Sequence, residues 1–379
     1  MWDDGGKRYV RMSRVQKFLV INSGSSSEKI AFYEGKNEVY ALHLENVEEN
    51  IGEIRKILED KGLTGEKFAP DGILIRVVAA GEYFTKHHIV DEKTMEELKK
   101  VRVTNPLHVI STERGIKNAK KMFPEVPVIL MSDTATLVCA SRRDLKYALP
   151  DKVNREFDLA RWGAHGASYG YIVERIRELG LLEDKMVVCH LGSGCSLTAF
   201  IDGEPIYTSM GETPLEGLMS STRAGSIDPT IGALLGEELG ATEAIRLMNK
   251  QSGLLALAGS SDMREIIERA AEGDQNAKEA YEMFVDGIAG KIGEFAAKMG
   301  GLDAIVFTAT IGKRSALIRN SIMTKLEFMG FKVDDKVSTN EIKEYVNIAK
   351  QKSKPIYVMP TNEAAYMISE ASKLLDNIK

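Results

Sequence analysis

Two related α/β domains flanking a cleft are predicted for this chain, on its length, on an internal match between its halves and on its alternation of apolar runs with helical segments. At about 150 residues per domain, 379 residues make two or three domains. Residues 18–35 (FLVINSGSSSEKIAFYEG) align without a gap to 186–203 (MVVCHLGSGCSLTAFIDG), 168 positions later, with identity at Val20/Val188, Gly24/Gly192, Ser25/Ser193, Ala31/Ala199, Phe32/Phe200 and Gly35/Gly203. That spacing is too long for a solenoid repeat and fits duplication of a whole domain.

Each copy reads as a β-hairpin: an apolar strand enters a Gly/Ser tip, leaves as a second β-rich run, and ends on an acidic-Gly turn, Glu34-Gly35 or Asp202-Gly203. Apolar strands follow at 72–78, 126–131 and 303–308, and amphipathic helices at 46–62, 91–101, 109–123, 168–180, 240–250 and 263–299. Thr361-Asn362-Glu363 opens a last helix whose face carries Ala365, Met367, Ile368, Ala371 and Leu374. Buried strands between helices imply open sheets covered on both faces. The expected organisation is an extension at 1–16, a first domain at 17–164, a second at 165–364, and a helix at 365–379 returning to the first.

With 44% hydrophobic and 28% charged residues the chain has the composition of a globular protein. Fifty Lys+Arg against 55 Asp+Glu leave a charge of -5, which argues against a dedicated nucleic-acid or anionic-membrane binder. No apolar run approaches the roughly 18 residues of a membrane helix. Cys139, Cys189 and Cys195 form no CxxC pair and no zinc spacing. They read as reduced thiols of a cytoplasmic protein.

Small residues at both tips let backbone N–H groups approach phosphate oxygens, and Asn22 and Lys29 stand beside the first tip. GxxxxGK[ST] is absent, so the tips form no P-loop. The pair of tips resembles the two phosphate loops of the actin, sugar-kinase and Hsp70 ATPase fold, which is ribonuclease H-like. VINSGSSSEK (20–29), IRVVAAGE (75–82), SDTAT (132–136), RWGAHGAS (161–168), HLGSGCS (190–196), TSMGETPLEGLMSSTRAGSIDP (208–229), SGLLALAGSSDMR (252–264), VFTATIG (306–312) and PTNEA (360–364) resemble, in order, the signature segments of the acetate kinase family of short-chain carboxylate kinases.

That resemblance implies transfer of the terminal phosphoryl of ATP to acetate or propionate, giving an acyl phosphate and ADP, and the reverse ATP-forming reaction. It places Arg76, Asp133, His165 and Arg223 at the catalytic centre, and Asn22 and Glu363 at a Mg2+ (or Mn2+) site. The first phosphate loop would use Ser25 and Ser27; the nucleotide would meet Lys29, His190, Leu191, Gly192, Ser193, Gly194, Asp262, Met263, Arg264 and the turn Thr310, Ile311, Gly312, Lys313 and Arg314. Val78, Ala164 and Pro214, with Arg76, would bind the carboxylate, and a homodimer would form through the second domain. Two alternatives stand beside this reading: a kinase of the same fold for a larger acid such as butyrate, and a catalytically weak nucleotide-binding paralogue with a regulatory role. Arg76→Ala and Arg223→Ala are each expected to abolish most turnover with little loss of stability.

Four places depart from the family pattern. Thr104-Asn105-Pro106 stands where the family has His-Asn-Pro, with His108 nearby; Ser193 replaces an asparagine; Ala309-Thr310-Ile311-Gly312-Lys313-Arg314 replaces Gly-Gly-Ile-Gly-Glu-Asn; and Ala164 replaces a phenylalanine beside His165. The last would open room for one or two more methylenes, at about 0.8 kcal/mol each.

Overall fold

The computed structural model describes residues 15–23, 27–45, 59–62, 70–102, 106–137 and 142–377, with the backbone alone at 22, 23, 27–29, 43–45, 106, 107, 142 and 144. The candidate residue Ser25, the departures Thr104 and Asn105, Cys139 and most of the expected 46–62 helix lie outside the described residues, as do the side chains of Asn22, Ser27 and Lys29.

Two six-stranded sheets are built from β1 (Lys17–Ser23), β2 (Ser27–Glu34), β3 (Asn37–Glu45), β4 (Gly72–Val77), β5 (His88–Ile89) and β6 (Val128–Ser132), and from β7 (Lys185–Leu191), β8 (Cys195–Ile201), β9 (Glu204–Thr208), β10 (Ala304–Thr308), β11 (Val346–Asn347) and β12 (Ile356–Val358). Their orders, β3-β2-β1-β4-β6-β5 and β9-β8-β7-β10-β12-β11, are the same topology twice. The aligned halves of the sequence thus become equivalent hairpins, β1 with β2 and β7 with β8, each antiparallel and each followed on its other side by a parallel strand, β4 or β10.

Each sheet is covered on both faces, because successive side chains of a strand alternate. In β7, Val187, Cys189 and Leu191 face the long helix Gln275–Met299, while Met186 and Val188 face the helix Gly166–Glu178 through Tyr169, Ile172 and Ile176. In β1, Leu19 and Ile21 pack with Val109 and Ile116 of the helix Pro106–Met122. Phe18 and Val20 pack with Met367, Ile368 and Ala371 of the final helix, Glu363–Asp376. That helix follows β12 of the second sheet yet lies on the first, so the chain crosses between sheets at residues 359–362.

Two expectations need correction, and one helix is additional to them. The single helix at 263–299 is two, Met263–Ala271 and Gln275–Met299. Gly273 between them has φ +96, a conformation that ends a helix, and Asp274 caps the second by accepting from the Ala277 amide. The turn at 310–314 is the helix Ala309–Arg314, packed directly after β10. Within the 208–229 block and beyond it, Asp228 and Pro229 start an unexpected helix, Pro229–Leu239, with proline in its first turn.

Candidate active site

In open α/β sheets ligands gather at the carboxyl ends of parallel strands. Arg76 is the penultimate residue of β4, Asp133 follows β6 directly, His190 lies near the end of β7, and Glu363 comes five residues after β12. Asp133 is fully buried and accepts five hydrogen bonds from four donors: Arg76 Nε at 3.1 and 3.2 Å, Arg76 Nη2 at 2.6 Å, the His165 amide at 2.8 Å and the Ala167 amide at 3.3 Å. A buried carboxylate with paired charge and amide donors is compensated for its lost hydration.

These contacts explain why the helix Gly166–Glu178 begins where it does. Asp133 sits at its N-terminus, where the helix dipole and free amides favour an anion. A side chain at Gly166 would place its Cβ 1.8 Å from the Asp133 carbonyl oxygen, so glycine alone fits. His165 takes the left-handed backbone conformation, φ 63, at the helix start. A non-glycine residue there costs roughly 1–2 kcal/mol, and the Asp133 contact with its amide offsets that strain.

The His165 ring is fixed on one edge and one face. Its Nδ1 lies 2.8 Å from Ser196 Oγ, and the ring stacks on His190 with centroids 4.1 Å apart. His190 Nδ1 is in turn 2.9 Å from Ser168 Oγ. Burial and neighbouring Arg76 hold His190 down at about 3, and burial, His190, Arg76 and Arg223 hold His165 well below the usual imidazole range. Both rings are therefore neutral near pH 7 and act through hydrogen bonds rather than charge.

The second Gly/Ser tip closes on this pair. A Cβ at Gly194 would lie 2.9 Å from Arg223 Nη1 and 3.3 Å from His165 Nε2, so a guanidinium and an imidazole nitrogen border the same space over bare backbone. Arg223 Nη1 is buried and has no hydrogen-bond partner among the described residues, and burial lowers its pKa. The tip itself is anchored: Gly192 donates to the Gly194 carbonyl, Ser221 to the Ser193 carbonyl, and Cys195 to Ser220 Oγ. Gly253 secures the Arg223 loop from behind, since a Cβ there would stand 2.6 Å from the Arg223 carbonyl. An unpartnered buried donor beside a glycine tip has the chemistry of an oxyanion site.

Arg76 bridges this centre to Glu363, its Nη1 standing 3.5 Å from Glu363 Oε2. His108 in the first turn of Pro106–Met122 is pushed down to about 4 by burial first, and then by Arg223, Arg76 and Lys250. Sequence reasoning left His108 and Lys250 without a role; the signal was faint, because neither lies in a signature segment.

Other expected residues lie differently. Asp262 caps the helix Met263–Ala271 and pairs with Arg264, whose side chain is 86% exposed. Met263 and Leu191 are buried in the core of the second sheet, so any nucleotide contact there falls to backbone. A Cβ at Gly312 would stand 3.6 Å from Leu191 Cβ, placing the Ala309–Arg314 helix behind the tip. Ala164 is 1% exposed and Pro214 is buried, while Val78 is partly exposed. Asn22 pairs with Lys29 across β1 and β2 through the backbone.

A sequence model described as the acetokinase family matches residues 35–370. The chain belongs to the acetokinase family. The acetate kinase of Oceanobacillus iheyensis is 38% identical over 311 residues, 80% of this chain and 78% of its own. That of Bacillus subtilis is 34% identical over 397 residues, 95% of this chain and all of its own. Among solved structures, a propionate kinase from Francisella tularensis subsp. tularensis superposes with a TM-score of 0.85 at 34% identity, covering 94% of this chain and 98% of that one. This acetokinase-family chain is accordingly a phosphotransferase with a carboxyl acceptor, ATP-dependent and of the actin-like fold. Family members use ATP and a divalent metal. No described helix is long and apolar enough to cross a membrane.

Proposed function

We propose that the Gly194 tip, Arg223 and His165 hold the phosphoryl group in transit between ATP and a short carboxylate, acetate or propionate. The observation that carries this reading is the convergence of Arg223 Nη1, without a partner, and His165 Nε2 over Gly194. Phosphoryl transfer asks for positioning and for donors around the equatorial oxygens, and these groups supply both. Arg76, oriented by Asp133, faces the carboxylate; that acid is ionised near pH 7, so no general base is required. Asp133, engaged by four donors, orients Arg76 and His165 rather than abstracting a proton.

The donor set also fits a hard divalent cation. Magnesium keeps several waters and takes one or two carboxylates plus phosphate oxygens, so a single carboxylate beside Arg76 is chemically sufficient. Glu363, with a side chain 22% exposed and one long ion pair, is the carboxylate that would hold it, and the family resemblance adds Asn22. When bound, the metal neutralises the charge on the β- and γ-phosphates.

Ala164 favours propionate over a strict acetate pocket. It is buried beside His165, and the Trp162 ring is engaged elsewhere, packed with Ala80 and Ala160 and donating from Nε1 to the Asp158 carbonyl at 3.3 Å. Trapping acyl phosphate with hydroxylamine, in the presence of ATP, magnesium and acetate, propionate or butyrate, tests the assignment. A kcat/KM for propionate at or above that for acetate is expected; strict acetate preference removes the Ala164 argument, and no product with any acid removes the site reading.

A second copy of the chain covers the helix Pro229–Leu239. It has no buried residue, exposes Ile231, Leu234 and Leu239 at 49, 55 and 45%, and leaves open space in front of Gly232 and Gly236, where another backbone can approach. Leu234→Glu should convert the dimer into monomers in light scattering.

A further inference from the structure

We propose that Tyr169 and Ser196 are positioning residues that fix the tautomer of His165, so that its Nε2 carries the proton and points it at the transferring phosphoryl. The proposal deepens the reading of His165 given above and rests on it.

Tyr169 Oη lies 2.6 Å from Ser196 Oγ, which lies 2.8 Å from His165 Nδ1, and both Tyr169 and Ser196 are fully buried. The three groups sit on two rigid elements. Tyr169 is one turn beyond His165 on the helix Gly166–Glu178, its amide donating to the His165 carbonyl at 3.1 Å, while Ser196 is on β8. Side chains locked this way hold their hydrogen bonds with little freedom to reorient.

Proton counting gives the direction. A neutral imidazole has one N–H, and which nitrogen bears it follows from the partner of the other. Burial keeps Tyr169 a phenol, with its pKa raised, so its O–H needs an acceptor. Tyr169 Oη has two hydroxyl neighbours, Ser196 and Thr198; with Tyr169 donating to Ser196 Oγ, the serine's own proton goes to His165 Nδ1, and the ring proton is left on Nε2.

Arg223 bears on the same choice. Its Nη1 and His165 Nε2 both border the space in front of Gly194, 2.9 and 3.3 Å from where a Cβ would stand. A bare Nε2 lone pair would repel an incoming anion there. With the proton on Nε2, two donors face the same space, complementary to phosphoryl oxygens. The opposite tautomer would turn a stabilising group into a repulsive one, so a hydroxyl two bonds removed from substrate governs whether His165 helps.

Nitrogen-15 NMR of the imidazoles in the full-length protein tests this directly. The Nε2–H tautomer of His165 is expected in the wild type, with Tyr169→Phe and Ser196→Ala each shifting the signal toward Nδ1–H. Both variants should lower kcat roughly 10- to 100-fold, with a smaller change in KM for the acid. In a His165→Ala background the same substitutions should have no further effect on kcat. An Nδ1–H wild type, or an undiminished Tyr169→Phe effect without His165, overturns the relay. His165→Ala with wild-type turnover would instead remove the reading of His165 itself, while the NMR signature still decides the tautomer.

Discussion

Arg76 and Asp133 form a two-pronged pair: Nη2 of the guanidinium lies 2.6 Å from Oδ2 of the carboxylate, and Nε lies 3.1 Å from Oδ1. The Asp133 side chain is wholly buried and that of Arg76 is 17% exposed. Removing one member of such a pair leaves the other charge uncompensated, at roughly 3–5 kcal/mol. Arg76→Ala should therefore lower stability by about that amount as well as abolishing most turnover, which revises the sequence-based expectation of unchanged folding. Denaturant titration beside steady-state kinetics checks it; a loss below about 1 kcal/mol would show that the pair contributes little.

Arg223 stands in contrast. Its Nη1 is buried with no partner, so the folded protein bears a desolvation cost that no hydrogen bond offsets. Arg223→Ala should cut kcat by about 100-fold or more while stability stays level or rises. Equal destabilisation of the Arg76 and Arg223 variants would contradict the difference in their surroundings.

Much of this was legible in the sequence because it is local. The repeated hairpin reports itself through identities such as Gly24/Gly192 and Phe32/Phe200, and the identical strand orders follow from it. Asp133 announces itself by following an apolar strand. What local pattern does not encode is who faces whom. Ser196 sits among apolar residues of β8 and gains its meaning only when Tyr169 arrives from a helix and His165 from that helix's start. Met263, adjacent to a polar capping pair, turns into the core because its helix buries that face. Pro229–Leu239 escaped notice because an apolar helix with no buried side lacks the two-faced period by which helices are recognised.

Acid should destabilise the protein through its buried imidazoles. His190 is held at about 3 and His108 at about 4, against an ordinary value of 6.5. Between those values the unfolded chain binds protons that the folded chain refuses, so stability is full above about 6.5 and falls as pH drops toward the folded values. For His190 this amounts to roughly 2 kcal/mol between pH 7 and pH 5. Unfolding midpoints measured at pH 7, 6 and 5 should fall in that order, and His190→Gln should flatten the slope. A midpoint unchanged across the range would mean that these rings are not held neutral.

Gly194→Ala separates chemistry from folding at the tip. Unlike Gly203 at φ +77 or Gly225 at φ +77, Gly194 has no left-handed backbone, so a side chain brings no conformational strain. The added methyl would stand 2.9 Å from Arg223 Nη1 and 3.3 Å from His165 Nε2, inside the space assigned to the phosphoryl oxygens. The arginine can swing aside by a few tenths of an ångström, so stability should change by less than about 1 kcal/mol. The oxygens cannot share that space with a methyl group. Turnover should therefore fall at least about tenfold, with both donors still present but no longer converging. Wild-type kcat in Gly194→Ala would show that the phosphoryl passes elsewhere in the cleft, and the roles of Arg223 and His165 would fall with it.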